Sequence, residues 1–402
     1  MRKEIKSFLV LLAALVVIAS FAAYSLLKSP DKEYFKLAHD ELEVVLEEIR
    51  EVRGLNPKTD ISIEVVTISW IEENWALPYA ESQREEIYYE EIIYKALFLL
   101  PSEANLTEIR INQFKATMAA AVGDKVYLTK EYFDPSDELK ALEILAHEIT
   151  HIIQRHHFNP PERSTHDGKQ ARSALIEGDA LITAEEFVLH HFGIKIGDLS
   201  NMSYSPIEEV WLFPYKYGRS FVRGLLEAGG WDMVNSALKN PPNTTEQILH
   251  PEKYLACEGF VVPDSPSLEG MGWKRIKSDR MGEHFILTIL STSLSEERAT
   301  EAAKGWNGDN LTLYMDNDAF MIEWVIVWDS EQDATQFAGS FQELLEKRGD
   351  RLPSGVWYCI DRYVFLHVSE ASMIILISND LEAINASLPL IKRDIRRKIH
   401  AV

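Results

Sequence analysis

The sequence predicts an α+β protein with two folded parts behind an apolar N-terminal helix, and three observations carry that prediction. Ser7 to Leu27 (SFLVLLAALVVIASFAAYSLL) holds no ionisable side chain except Tyr24 and is long enough to span a bilayer as a helix. Glu138 to His157 (ELKALEILAHEITHIIQRHH) has the apolar spacing of a buried helix. Beyond about residue 282 short apolar runs alternate with helical patterns, as in a compact α+β unit. The length of 402 residues allows about two domains. With 46% hydrophobic and 26% charged residues the chain is globular rather than disordered.

In chain order, Asp31 to Arg53 reads as an amphipathic helix through Leu37, Leu42, Val45, Leu46 and Ile49, ending at Gly54. Ile61 to Trp70 is β-branched and strand-like, and Arg84 to Leu100 is a helix closed by Pro101. Glu108 to Lys115 and Ala119 to Leu128 read as strands, the second folded on itself around Gly123-Asp124. Glu138 to His157 is the most strongly patterned helix, with Leu139, Leu142, Leu145 and Ile149 on its buried face. Ala171 to His191, Tyr215 to Ala228 and Trp231 to Leu238 are also helical, the last two parted by Gly229-Gly230. Pro241-Pro242 and Val261 to Gly272 mark the approach to a boundary. Strands follow at Leu311 to Met315, Phe320 to Trp328, Gly355 to Ile360, Tyr363 to Val368 and Met373 to Ser378, with helices from Glu331 to Lys347 and at the C-terminus.

Charge narrows the partners. Lys+Arg number 41 against 63 Asp+Glu, a net −22, and duplex binding depends on cationic contacts to phosphates, so nucleic acid is excluded as a partner. Arg2, Lys3 and Lys6 ahead of the apolar run predict a cytoplasmic N-terminus, with the remainder held outside the cell membrane by a single-pass anchor. A cleaved signal peptide, processed near Ala19 to Ala23, is the competing reading. Asn-x-Ser/Thr triplets at Asn105, Asn201, Asn243, Asn310 and Asn385 fit an exterior location. Cys257 and Cys359 are the only cysteines, enough for one disulfide and too few for a cysteine-based metal or redox motif.

The chemistry concentrates in His147-Glu-Ile-Thr-His151. Residues i and i+4 of a helix lie one above the other, so both imidazoles can reach one metal ion, while Glu148 is placed to act as a base beside it. A catalytic zinc needs a third protein ligand and an open position. Glu177, in Leu175-Ile-Glu-Gly-Asp-Ala180, is the candidate, with Gly178 and Ala180 letting its helix pack on the first. Asp179 is the alternative ligand, or a partner that orients a ligand histidine.

His147-Glu148-x-x-His151 with a later helical Glu resembles the gluzincin branch of zinc metallopeptidases, of which thermolysin is a member. More closely, His147-Glu-Ile-Thr-His-Ile-Ile-Gln154, Leu175-Ile-Glu-Gly-Asp-Ala180, Phe213-Pro-Tyr-Lys-Tyr-Gly218, Thr244-Thr-Glu-Gln-Ile-Leu-His-Pro251 and Gly305-Trp-Asn-Gly-Asp309 resemble a poorly characterised set of exported archaeal and bacterial zincin-like proteins. The resemblance implies Zn2+ held by His147, His151 and Glu177, Glu148 as general base, and a zincin-like fold. One departure is plain: thermolysin-type members carry an acidic residue four positions after the third ligand, where this chain has Leu181.

An oxyanion stabiliser is also required. Tyr215 is the first candidate, because related proteins open a helix with Tyr-x-x-Gly/Ser after the ligand Glu, and His250 is the second. The small-residue strand Met118 to Val122 occupies the place of a gluzincin edge strand, to which an extended peptide can pair. His156, His157, His166, His190 and His191 read as surface or supporting residues, and Trp211, Phe213 and Tyr217 as core or cleft lining.

These readings divide the chain into a leader and anchor (1–28), a zincin-like metallopeptidase domain (29–281) and a C-terminal α+β domain (282–402). The expected activity is endopeptidase cleavage of a peptide or protein substrate. The alternatives are a surface-anchored zinc protein that binds or assembles without hydrolysis, and hydrolysis of a non-peptide polymer.

Overall fold

A computed structural model describes residues 32–195, 204–265 and 268–399. The first described element is α1 (Lys32–Arg53), whose Leu42, Val45 and Ile49 are fully buried. Strand β1 (Ser62–Val66) follows and stops short of the sequence expectation, because the Thr67 hydroxyl caps the next helix by accepting from Trp70 N. Helix α2 (Ile68–Ile71) runs through a π-helical turn, Glu72–Ala76, into α3 (Leu77–Ser82) and α4 (Arg84–Ala96).

Helix α5 (Leu106–Lys115) stands where a strand was expected. The alternating Ile109 and Ile111 mimic a strand, but the Asn105 side chain accepts from Glu108 N at 3.1 Å and starts a helix that buries Leu106 and Phe114. Strands β2 (Ala119–Val122) and β3 (Lys125–Thr129) then form the hairpin around Gly123. With β1 parallel to β3 and β2 antiparallel to it, the sheet has the order β1-β3-β2 and leaves β2 on an edge.

Helix α6 (Glu138–His157) crosses this sheet and shares a core with α1 through Leu142, Leu145 and Ile149. Next come α7 (His166–Phe192), α8 (Pro206–Lys239), and the short α9 (Thr245–Leu249) and α10 (Pro251–Leu255). The two helices expected across residues 215–238 form one kinked element in α8, broken at Gly229-Gly230, where Gly230 has φ 62°.

The second sheet has seven antiparallel strands in the order β4-β5-β6-β10-β9-β8-β7: β4 (Lys274–Asp279), β5 (Trp306–Asp316), β6 (Ala319–Trp328), β7 (Gly349–Arg351), β8 (Trp357–Cys359), β9 (Arg362–Ser369) and β10 (Ser372–Ser378). Helices α11 (Glu283–Ser291), α12 (Glu296–Ala303) and α13 (Glu331–Glu346) contribute to the core on one face, and α14 (Leu381–Ile399) covers the other.

The core under the large sheet does not respect residue 282. Tyr94, Leu97, Leu100, Val210 and Trp211 are buried in one cluster with Phe285, Trp324 and Ile375. The junction is also polar. Asp309 on β5 accepts from Met281 N and Trp324 Nε1 with one oxygen, and from Gly282 N and Trp306 Nε1 with the other, all within 2.9–3.1 Å. Asp167 at the start of α7 accepts from Thr245 and from Arg280 Nε at 2.8 Å.

Two expectations are corrected here. A zincin-like fold is not shown: the small sheet has three strands, the segment expected to add another is α5, and the region before 282 completes its core with elements after it. The expected membrane span, Ser7 to Leu27, lies outside the described residues, and among those described no helix is long and apolar enough to cross a membrane. Single-pass anchoring, and the extracellular placement built on it, therefore have no support in the structure. The one disulfide that the two cysteines allow is not formed; Cys257 is exposed and Cys359 buried.

Candidate metal centre

The α6 helix begins at Asp137, whose side chain accepts from Lys140 N, and carries His147 and His151 one turn apart on a buried stretch. Their rings meet edge to face at 87°, and the two Nε2 atoms stand 3.0 Å apart. Glu177 comes from α7, with Oε2 at 3.3 Å from His147 Nε2 and 3.6 Å from His151 Nε2.

Why α7 sits where it does is a matter of missing side chains. A Cβ on Gly178 would lie 2.2 Å from the Gly218 carbonyl oxygen, and one on Gly218 would lie 2.1 Å from the Ala174 carbonyl oxygen. The close approach allowed by Gly178 is thus to α8, not to α6 as the sequence suggested. It brings Tyr215, one turn before Gly218, to the Glu177 carboxylate.

The donor set fits zinc. Ligand-atom separations of 3.0, 3.3 and 3.6 Å bracket the ~3.3 Å edge of a tetrahedron with bonds of about 2.0–2.1 Å. Glu177 is fully buried, and neither carboxylate oxygen has a well-formed hydrogen-bond partner; its polar neighbours are the two imidazoles and the Tyr215 hydroxyl. A buried carboxylate in that condition is costly unless a cation shares the space. Among the described residues, His147, His151 and Glu177 form a group whose ligand atoms all lie within 4.8 Å of one another. Glu246, Glu258 and Asp329 form a second, but Lys253 Nζ fills it at 2.7, 2.7 and 3.6 Å.

Electrostatics follow from burial. Desolvation pushes the carboxyls of Glu148 and Glu177 up to about 7 and the imidazole of His151 down to about 4, and it lowers His147 as well. Burial also raises the Tyr215 phenol, with Glu177 acting in the same direction. Glu148 accepts a hydrogen bond from the Ala121 backbone. Strand register explains that contact: Thr129 N donates to the Met118 carbonyl at 2.8 Å, so antiparallel alternation turns the polar groups of Ala119 and Ala121 away from β3, toward the sheet edge.

His250, the second oxyanion candidate, is engaged elsewhere. Its Nε2 lies 3.1 Å from Glu283 Oε1, which holds the imidazole above its ordinary pKa. The five other histidines noted near the motif in the sequence are also committed: His156 to Asp124, His157 to the Asn56 carbonyl, His190 to Glu51 and His191 to Glu48, while His166 packs its ring against Phe285. Trp211 and Phe213 are core residues, and Tyr217 packs beside Phe213.

Asp179 lies outside this group, its oxygens paired with Arg53 and Gln154, and it does not orient either histidine directly. The residue that does is Gln154, whose Oε1 lies 3.0 Å from His151 Nδ1. Its signal in the sequence was its spacing: three positions after His151, it shares that face of the helix. Gln154 Nε2 donates to the Ile176 carbonyl and to Asp179 Oδ2, both at 2.8 Å, and Asp179 Oδ1 accepts from Arg53 Nε at 2.9 Å.

No curated protein and no solved structure matches the chain. A family described as Domain of unknown function (DUF8575) matches residues 270–387, a segment that follows every member of this centre.

Proposed function

We propose that the protein is a zinc-dependent hydrolase that cleaves peptide bonds. The observation that carries the proposal is a buried His147–His151–Glu177 group beside Glu148, a non-ligand carboxylate held by the outward-facing backbone of an edge strand. Zinc in such a site supplies a Lewis acid for a carbonyl and activates water near neutral pH.

The chain's own residues supply the rest. Glu148, with its carboxyl held near 7, is matched to accept a proton from the attacking water and return it to the leaving amine. The outward-facing backbone groups of Ala119 lie on that edge at 1% exposure, so an extended substrate would pair with them by main-chain hydrogen bonds only after the edge is uncovered. The Tyr215 hydroxyl beside Glu177 is positioned to steady developing negative charge. His250, paired to Glu283, has no part in this arrangement.

The depth of the ligands favours a second reading, in which zinc is held for structure in a binding or assembly protein: His147 is 9% exposed, His151 6% and Glu177 0%. Metal content of the purified protein beside Glu177→Ala is the first test. One zinc per chain, lost in the variant, supports the centre, and cleavage of an unfolded protein substrate then separates hydrolysis from a structural role. No metal after reconstitution with zinc overturns both readings.

A further inference from the structure

We infer that Gln154 is the positioning residue of this centre: it fixes the tautomer of His151, and Asp179 and Arg53 hold it in the one orientation that does so. The inference rests on the zinc reading above, but its logic comes from hydrogen-bond roles alone.

One end of the Gln154 amide faces the Ile176 carbonyl and Asp179 Oδ2. Both are acceptors, so that end must be the NH2 group. The other end is then the carbonyl, itself only an acceptor, and the group it faces at 3.0 Å, His151 Nδ1, must carry the proton. A neutral imidazole protonated at Nδ1 has its lone pair on Nε2, the atom that faces His147 Nε2 and Glu177 Oε2. The chain of contacts thus leads from Arg53 to a metal-competent nitrogen with no ambiguous step. Neither oxygen of Asp179 is free to turn away, because Arg53 Nε holds Oδ1 while Oδ2 takes the amide.

An amide suits position 154 better than a carboxylate. A carboxylate there would set like charge against Asp179 Oδ2 and leave the Ile176 carbonyl without a donor. The neutral amide passes on orientation without adding a charge to a pocket that already holds Glu148 and Glu177.

The test combines ¹⁵N-histidine NMR of the metal-free full chain with zinc affinity by chelator competition. The expected wild-type result is a His151 ring protonated at Nδ1. Gln154→Met should yield mixed tautomers and about 10–100-fold weaker zinc binding. The charge-conserving pair Gln154→Glu/Asp179→Asn keeps an acceptor toward His151 and a donor between positions 179 and 154. It should retain the Nδ1 tautomer and bind zinc more tightly than Gln154→Met.

A wild-type His151 protonated at Nε2, or a folded Gln154→Met with unchanged tautomer and affinity, overturns the inference. If Gln154→Met does not fold, the wild-type tautomer and the swapped pair decide. A wild type with the Nδ1 tautomer that binds no zinc would instead remove the zinc reading and leave the orienting contact standing.

Discussion

Arg53 Nε and Asp179 Oδ1 meet at 2.9 Å with neither side chain exposed, joining residues 126 positions apart. The guanidinium also donates to Asn235 Oδ1 at 2.8 Å and lies 4.3 Å from the Trp231 ring centroid. One residue at the end of α1 therefore ties together α7 and α8, and Asp179 passes the link to Gln154 on α6. Arg53→Met would strand a buried carboxylate and is expected to cost about 3–5 kcal/mol, whereas Arg53→Met/Asp179→Asn should recover part of that loss. Urea denaturation of the single and double variants measures the difference; equal stability of the two would contradict a coupled pair.

The Gly178–Gly218 contact leaves no room for a methyl group. Gly178→Ala should push α7 and α8 apart at a cost of about 1–3 kcal/mol. It should also weaken zinc binding, since Glu177 and Tyr215 flank the contact. A variant with wild-type melting temperature and zinc affinity would show that the helices approach less closely than described.

The proposed mechanism uses Glu148 as a base, and it lies outside the His147–His151–Glu177 group. Glu148→Gln is expected to keep one zinc per chain while turnover on a peptide substrate falls by about 10²–10⁴-fold. His151→Ala should lose the metal as well as the activity. Turnover retained by Glu148→Gln would end this mechanism.

Zinc affinity should depend on pH through Glu177. Burial holds that carboxyl at about 7 and pushes the His151 imidazole down to about 4. Metal-free protein at pH 6 therefore has a protonated Glu177 and a neutral His151, and zinc must displace the carboxyl proton. Apparent affinity should fall about tenfold per pH unit below 7 and level off above it. Calorimetry in buffers of different ionisation enthalpy counts the protons, and the absence of proton release at pH 6 would contradict the assignment.

At the junction, Asp309 receives four N–H donors. In Asp309→Asn the amide nitrogen would face two of them, so a loss of about 3 kcal/mol is expected. Thermal denaturation followed by tryptophan fluorescence is the direct measurement, because Trp306 and Trp324 are two of the donors.

How much of this was legible in the sequence depends on the range of the interaction. His147 and His151 were readable because helical periodicity alone stacks them, and Glu177 because a helix carrying Gly178 suggested close packing. The partner of that glycine was not readable, since nothing local distinguishes α6 from α8 as the neighbour. Arg53 is in the sequence only the last residue of an amphipathic helix; the tertiary fold alone sets Asp179 against it. Gln154 was overlooked because an amide is a less obvious orienter than the carboxylate of Asp179, which acts one step further out. The segment expected as a strand at Glu108 to Lys115 is a helix because the Asn105 side chain caps it, whereas the alternating Ile109 and Ile111 suit a strand equally well.

The family match begins at residue 270, yet Tyr94, Leu97, Leu100, Val210 and Trp211 lie under the same sheet as residues matched by that family. Sequence kinship and cooperative folding thus have different borders in this chain. Severing the polypeptide at 270 would not release two finished modules. It would leave two fragments, each with an uncovered oily face, that should bind each other or precipitate.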